Sequence, residues 1–162
     1  MPNVIFVCTA NICRSPVAEA LFRDWLRQQP AASANAWRVS SAGTWADEGA
    51  PASAYAVEVL AAAGLDLSVH RSRRVARAMI EAADLLLCMT RSQREALQVE
   101  FPDLAGRVQL LTAMAGLAYD VADPYGGPRQ GYVEMAAEIK QILERGGARI
   151  LALASRPPQP SD

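Results

Sequence analysis

Val4-Ile5-Phe6-Val7-Cys8-Thr9-Ala10-Asn11-Ile12-Cys13-Arg14-Ser15-Pro16 is the stretch that decides the fold of this chain. Its first four residues form an unbroken β-branched and aromatic run, the pattern of a strand covered on both faces. From Pro16 onward, apolar residues fall at Val17, Leu21, Phe22, Trp25 and Leu26, which is helical spacing. Ser15 before Pro16 has the N-cap and N1 order that opens helices. The chain therefore begins with a strand, a tight loop and a helix.

The same alternation continues. Arg38 to Ala42 reads as a second strand ending at Gly43, and a helix follows Pro51 with Val57 and Leu60 inward and Gly64 as its stop. Leu85 to Met89 is a buried strand, Arg91 to Leu97 a helix, and Val108 to Leu111 a fourth strand. A loop rich in Gly and Pro occupies about 120–131. The last segment places apolar residues at Val133, Ala136, Ile139, Ile142, Leu143, Ile150, Leu151 and Leu153. Their phase survives Gly146-Gly147, which predicts one long helix weakened in the middle. Two glycines there cost about 2 kcal/mol relative to alanines, and a break into two helices is the alternative. Strands alternating with helices predict an α/β fold, a single domain over 1–156 with a flexible tail at 157–162. The expected sheet is four-stranded, mainly parallel, and flanked by helices on both faces. Ligands of such sheets sit at the carboxyl ends of strands, where the loop after the first strand lies.

Bulk properties exclude several function classes. A chain of 162 residues, 51% hydrophobic and 20% charged, suits one soluble globular core. A net charge of -1 offers no general attraction to nucleic acid or to anionic membranes. The main basic run, His70-Arg71-Ser72-Arg73-Arg74, reads as a solvated loop face. No apolar stretch approaches the ~20 residues of a membrane helix, and no basic residues precede the first apolar run as in a signal peptide. Three cysteines, an odd number, argue against a disulfide framework. The expected compartment is the reducing cytoplasm, although an unconventional export route would leave no mark in the sequence.

Cys8 and Arg14 flank five residues between a buried strand and a helix N-terminus. If Thr9, Ala10, Asn11, Ile12 and Cys13 bend into a cradle, their amides converge on an anion. Arg14 adds a bidentate fork for two phosphate oxygens, which lysine would not reproduce. Asn11 suits such a bend because it tolerates left-handed backbone angles. The same positive field favours the thiolate of Cys8, the nucleophilic form, with Ser15 able to donate its hydroxyl to the sulfur. Set against this, a lone cysteine is most often a small buried hydrophobe. The strand-loop-helix setting favours a site. Cys13, five residues after Cys8, is either a buried thiol or a partner for a reversible disulfide under oxidation. Cys88 sits in a buried strand and is expected to be inert.

Val7 through Pro16, followed by Ala18-Glu19-Ala20, resembles the signature of the low-molecular-weight protein-tyrosine phosphatases, in their bacterial form. Ala10 stands where their pattern usually has Gly. Ser41-Ala42-Gly43-Thr44-Trp45, Gly64-Leu65-Asp66, His70-Arg71-Ser72-Arg73, Ala83-Asp84 and Asp123-Pro124-Tyr125-Gly126 also recur in order in that family. The resemblance implies a phosphocysteine mechanism without metal or cofactor. It makes Cys8 the nucleophile, Arg14 the phosphate clamp and Asp123 the general acid and then base. Asp120 is the nearest competitor for the acid. The resemblance further implies that Ser15, Ser41 and His70 hold Asn11, and that Ile12, Trp45 and Tyr125 wall the pocket. Gly126-Gly127 predicts an open, mobile rim beside Tyr125. His70, the only histidine, has no second histidine to build a metal site. The expected partners are a phosphotyrosine-containing protein as substrate and inorganic phosphate as product.

Four alternatives compete. An arsenate reductase needs further cysteines to relay a disulfide, and Cys88 has no downstream partner. A protein arginine phosphatase resembles this chain more closely but favours Thr where Ile12 stands. A non-catalytic phosphate-binding module would not need both Asp123 and Arg14. A dinucleotide-binding domain would need G-x-G-x-x-G after the first strand, which is not there.

Overall fold

The computed structural model of the chain describes residues 1–30 and 34–157, so most of the expected tail, 158–162, lies outside the described residues. Four strands, β1 (Asn3–Cys8), β2 (Arg38–Gly43), β3 (Leu85–Cys88) and β4 (Val108–Leu110), form one sheet in the order β2-β1-β3-β4. Every pairing is parallel; Val4 lies opposite Val39 on one side and Leu85 on the other. The helices are α1 (Arg14–Arg27), α2 (Ala54–Ala62), α3 (Arg77–Ala82), α4 (Arg91–Glu100) and α5 (Arg129–Ala154).

Strand alternation divides the core in two. Val4, Phe6, Leu85 and Leu87 pack with Val17, Phe22, Ile139 and Leu143 beneath α1 and α5. Ile5, Val7, Leu86 and Cys88 face the other way, onto Ile80, Leu97 and Phe101 of the α3 and α4 layer. The chain runs from β1 to β2 on one side and returns to β3 on the other. The crevice at the carboxyl end of β1 is thus the topological switch point, where α/β proteins bind ligands.

Several boundaries differ from the sequence expectation. Helix α1 starts at Arg14, with Cys13 rather than Ser15 at the cap, because Ser15 turns its hydroxyl inward toward Cys8. In α2 the inward positions are Ala56 and Leu60, while Val57 is only partly buried. Helix α3 was not anticipated; it is two turns long and buries a single side chain, Ile80. Residues 70–74 are not merely a solvated face, since His70 and Arg73 bond to the back of the Cys8 loop.

Helix α5 runs unbroken through Gly146-Gly147. Tertiary contacts explain both glycines. A Cβ on Gly146 would lie 2.8 Å from the Met114 backbone carbon, and one on Gly147 would lie 2.3 Å from the Trp25 ring. The Trp25 ring in turn stacks on Phe22 at 5.7 Å. Gly146→Ala is therefore expected to destabilise the fold by about 2 kcal/mol in urea denaturation, against an alanine propensity gain of about 1 kcal/mol. A variant more stable than wild type would mean that the Met114 segment gives way freely.

Candidate active site

The loop after β1 is held by four donors from three other parts of the chain. Thr44 N–H donates to Cys8 O at 2.9 Å, Trp45 N–H to Thr9 O at 3.0 Å, and Ser53 N–H to Ile12 O at 2.9 Å. His70 Nε2–H donates to Asn11 O at 2.7 Å. With these carbonyls pinned outward, the amides turn the other way. Among the described residues, no acceptor is found for the N–H groups of Thr9 through Arg14. Gly43 permits the approach: a Cβ there would sit 2.3 Å from Thr9 O. The first turn of α1 carries no acidic residue and its cap makes no side-chain bond, so the positive end of the helix faces the hollow uncompensated.

Asn11 is the hub. It is fully buried, and it is the one non-glycine residue with positive φ (58°) among the described residues. Ala10 is not in that conformation, so alanine at the family's usual glycine position carries no backbone strain there. Arg73 N–H donates to Asn11 Oδ1 at 3.0 Å, which fixes the amide's orientation. Asn11 Nδ2 then donates to Ser15 Oγ at 2.8 Å and Ser41 Oγ at 3.0 Å. Ser41 passes its own proton to Glu19 Oε2 at 2.7 Å. Ser15 accepts from Asn11, which leaves its proton free for Cys8 Sγ, 3.0 Å away.

Cys8 is 2% exposed at the floor of a cavity of about 280 Å³ lined also by Thr9, Ala10, Ile12, Cys13, Arg14, Asp47, Asp123 and Tyr125. Arg14 is buried. One guanidinium nitrogen donates to Val121 O at 2.9 Å, another lies 3.5 Å from Asp123 Oδ2, and Nε has no partner. A buried cationic donor without an acceptor is costly unless a ligand anion completes it. Asp123 is half exposed over the cavity, its Oδ1 accepting from Tyr125 N–H at 3.1 Å. Asp120 points elsewhere. Arg91 donates to it from both backbone and side chain, and these bonds hold its carboxyl below the ordinary range, so it is a poor proton donor.

One expectation needs correction. Trp45 is 72% exposed and does not line the cavity; its ring carries the Arg74 guanidinium at 4.2 Å, and its backbone N–H serves the loop instead. The glycine segment beside Tyr125 is closed by a hydrogen bond from Gly127 N–H to Pro124 O, with Gly126 at φ 80°, the form of a tight turn. Tyr125 itself stands 67% exposed on the rim.

Burial raises the Cys13 thiol above its ordinary range and keeps it protonated, with Tyr132 Oη accepting from it at 3.7 Å. Burial pushes Cys88 up much further, which keeps it inert. Sequence reasoning missed Asp47, Arg73, Glu19 and Gln93. Gln93, buried in the capping box of α4, donates Nε2–H to Thr9 Oγ1 at 3.0 Å. Its S/T-x-x-Q pattern with Thr90 was readable as a helix start, but not as a prop for the loop.

A parallel sheet with a hollow of unpaired amides at its switch point, lined also by a buried cysteine and a carboxylate, defines the candidate site of this α/β protein. The family model for low molecular weight phosphotyrosine protein phosphatases matches residues 3–150. The chain is 37% identical to a probable low molecular weight protein-tyrosine-phosphatase, EpsP, of Ralstonia nicotianae, over 93% of this chain and 97% of that one. It is 34% identical to a protein-arginine-phosphatase of Geobacillus stearothermophilus, over 88% and 92%. The crystal structure of a YwlE mutant from Bacillus subtilis superposes with a TM-score of 0.85 at 33% identity, covering 94% of this chain and 99% of that one. The chain belongs to the low molecular weight phosphotyrosine protein phosphatase family. Among the described residues, no helix is long and apolar enough to cross a membrane.

Proposed function

We propose that the chain hydrolyses phosphotyrosine monoesters in protein segments through a phosphocysteine intermediate on Cys8. The observation that carries this is the hollow itself. Among the described residues, the amides of Thr9 to Arg14 and the Arg14 Nε are donors without acceptors, on a loop that lines one cavity with the buried Cys8. Three phosphoryl oxygens would satisfy them, and such fixed donors favour the charge that develops in the transition state.

In the first step the Cys8 thiolate attacks phosphorus, the bond to the tyrosyl oxygen breaks, and Asp123 gives that oxygen a proton. In the second, water attacks phosphorus, Asp123 takes the proton, and inorganic phosphate leaves with the thiolate restored. Ser15 steadies the sulfur as a leaving group, while Asn11, with Ser41 and His70, keeps the cradle in shape. No metal or cofactor enters either step.

Ile12 and Tyr125 line the cavity and suit an aromatic ring. The rival within the family is phosphoarginine, the substrate class named for the Geobacillus relative. Assays in EDTA on matched phosphotyrosine and phosphoarginine peptides separate the two. The expected result is a preference for phosphotyrosine of about 100-fold or more in kcat/KM. Equal or reversed rates would move the assignment to arginine, and no turnover of either would leave a binding module.

A further inference from the structure

Asp47 is the one cavity-lining residue to which neither the mechanism nor the loop's architecture gives a task. It lies on the segment after β2, and its backbone is firmly placed. Buried Ser72 donates to Asp47 O, accepts from Ala50 N–H at 3.0 Å through its hydroxyl, and accepts from Gly49 N–H at 2.8 Å through its carbonyl. The neighbouring charges are engaged elsewhere. Glu48 accepts from Arg74 N–H at 2.8 Å, and the Arg74 guanidinium lies on the Trp45 ring. Asp123, the other carboxylate at the cavity, is tied to Arg14 and Tyr125. The Asp47 carboxylate has no hydrogen-bond or ion-pair partner among the described residues.

An unpaired carboxylate on the lip of a cavity made for a dianion is repulsive to the phosphoryl group. Its placement makes sense if the substrate brings a cation to that lip. Building on the phosphatase assignment above, we infer that Asp47 sets the charge preference of the enzyme. It favours protein segments with lysine or arginine beside the phosphorylated residue and disfavours acidic ones. The exposed face of Tyr125 would lie along the same segment, so the rim reads a basic stretch of chain around an aromatic phosphoryl carrier.

The test uses three phosphotyrosine peptides that differ only in flanking Lys, Ala or Glu. Affinities are measured in the Cys8→Ser background and kcat/KM in the Cys8 enzyme, each with and without Asp47→Asn, and with Asp24→Asn as a remote control on α1. With Asp47 present, Lys peptides should bind better than Glu peptides. Asp47→Asn should shrink the Lys-to-Ala ratio about five-fold, the Coulomb effect of one pair at 4 Å in water, and the Lys-to-Glu ratio by more, and 0.5 M NaCl should shrink both likewise. A ratio unchanged by Asp47→Asn, or a preference for Glu peptides with Asp47 in place, would overturn the inference. If phosphotyrosine peptides neither bind nor turn over, the tyrosine assignment fails, and the same comparison on phosphoarginine peptides decides the role of Asp47.

Discussion

Cys8→Ser is expected to reduce p-nitrophenyl phosphate turnover by at least about 10⁴-fold while leaving phosphate affinity within a few-fold of wild type. A serine hydroxyl is a far weaker acid than a thiol and does not supply an anionic nucleophile in its place. The donors that grip phosphate are untouched, because they are the amides of Thr9 to Arg14 and the Arg14 side chain. Stopped assays near pH 6 in EDTA, paired with calorimetric titration of phosphate, read both quantities. Activity within ten-fold of wild type would remove Cys8 as nucleophile. Lost phosphate affinity would show that the sulfur shapes the cradle as well as reacting in it.

Asp123→Asn should lower kcat by about 10²–10³-fold on phosphotyrosine peptides, and less on p-nitrophenyl phosphate, whose leaving group needs little protonation. The bell-shaped pH profile should lose its alkaline limb in the variant, since asparagine has no proton to give up. Asp120→Asn is the internal control. Asp120 is paired with Arg91 and does not line the cavity, and an exposed ion pair of this kind contributes no more than about 1 kcal/mol. An alkaline limb that vanishes with Asp120→Asn instead would exchange the two roles.

Much of the fold was legible because its strands are buried on both faces. Val4 to Val7 and Leu85 to Leu87 are continuous apolar runs for the reason the structure displays, a helix layer on each side. Where the sequence was ambiguous, the missing information was tertiary. Nothing local reveals that Gly146 and Gly147 exist to admit Met114 and Trp25, so helix propensity alone pointed toward a break. Helix α3 buries only Ile80 and leaves no periodic trace. The Cys8 to Arg14 loop could be read from its flanking strand and helix, whereas its supports could not. Arg73 meets Asn11 across 62 residues and Gln93 meets Thr9 across 84, and spacing within a segment carries no signal of such contacts. Ser15 was placed at a helix cap by its neighbour Pro16, but the demand of Asn11 for an acceptor draws it inward.

The outward-pinned carbonyls have a consequence for synthesis. Cys8 is made before everything that holds its loop, which arrives over a long interval, from Thr44 and Ser53 through His70 and Arg73 to Val121, which receives Arg14. A nascent chain that has reached residue 60 carries the cysteine without the cradle. The surroundings of its sulfur are complete only when residue 121 has been made. A chain that ends before residue 121 lacks the Val121 carbonyl that receives Arg14, so the hollow takes its form only once distant parts of the fold have come together.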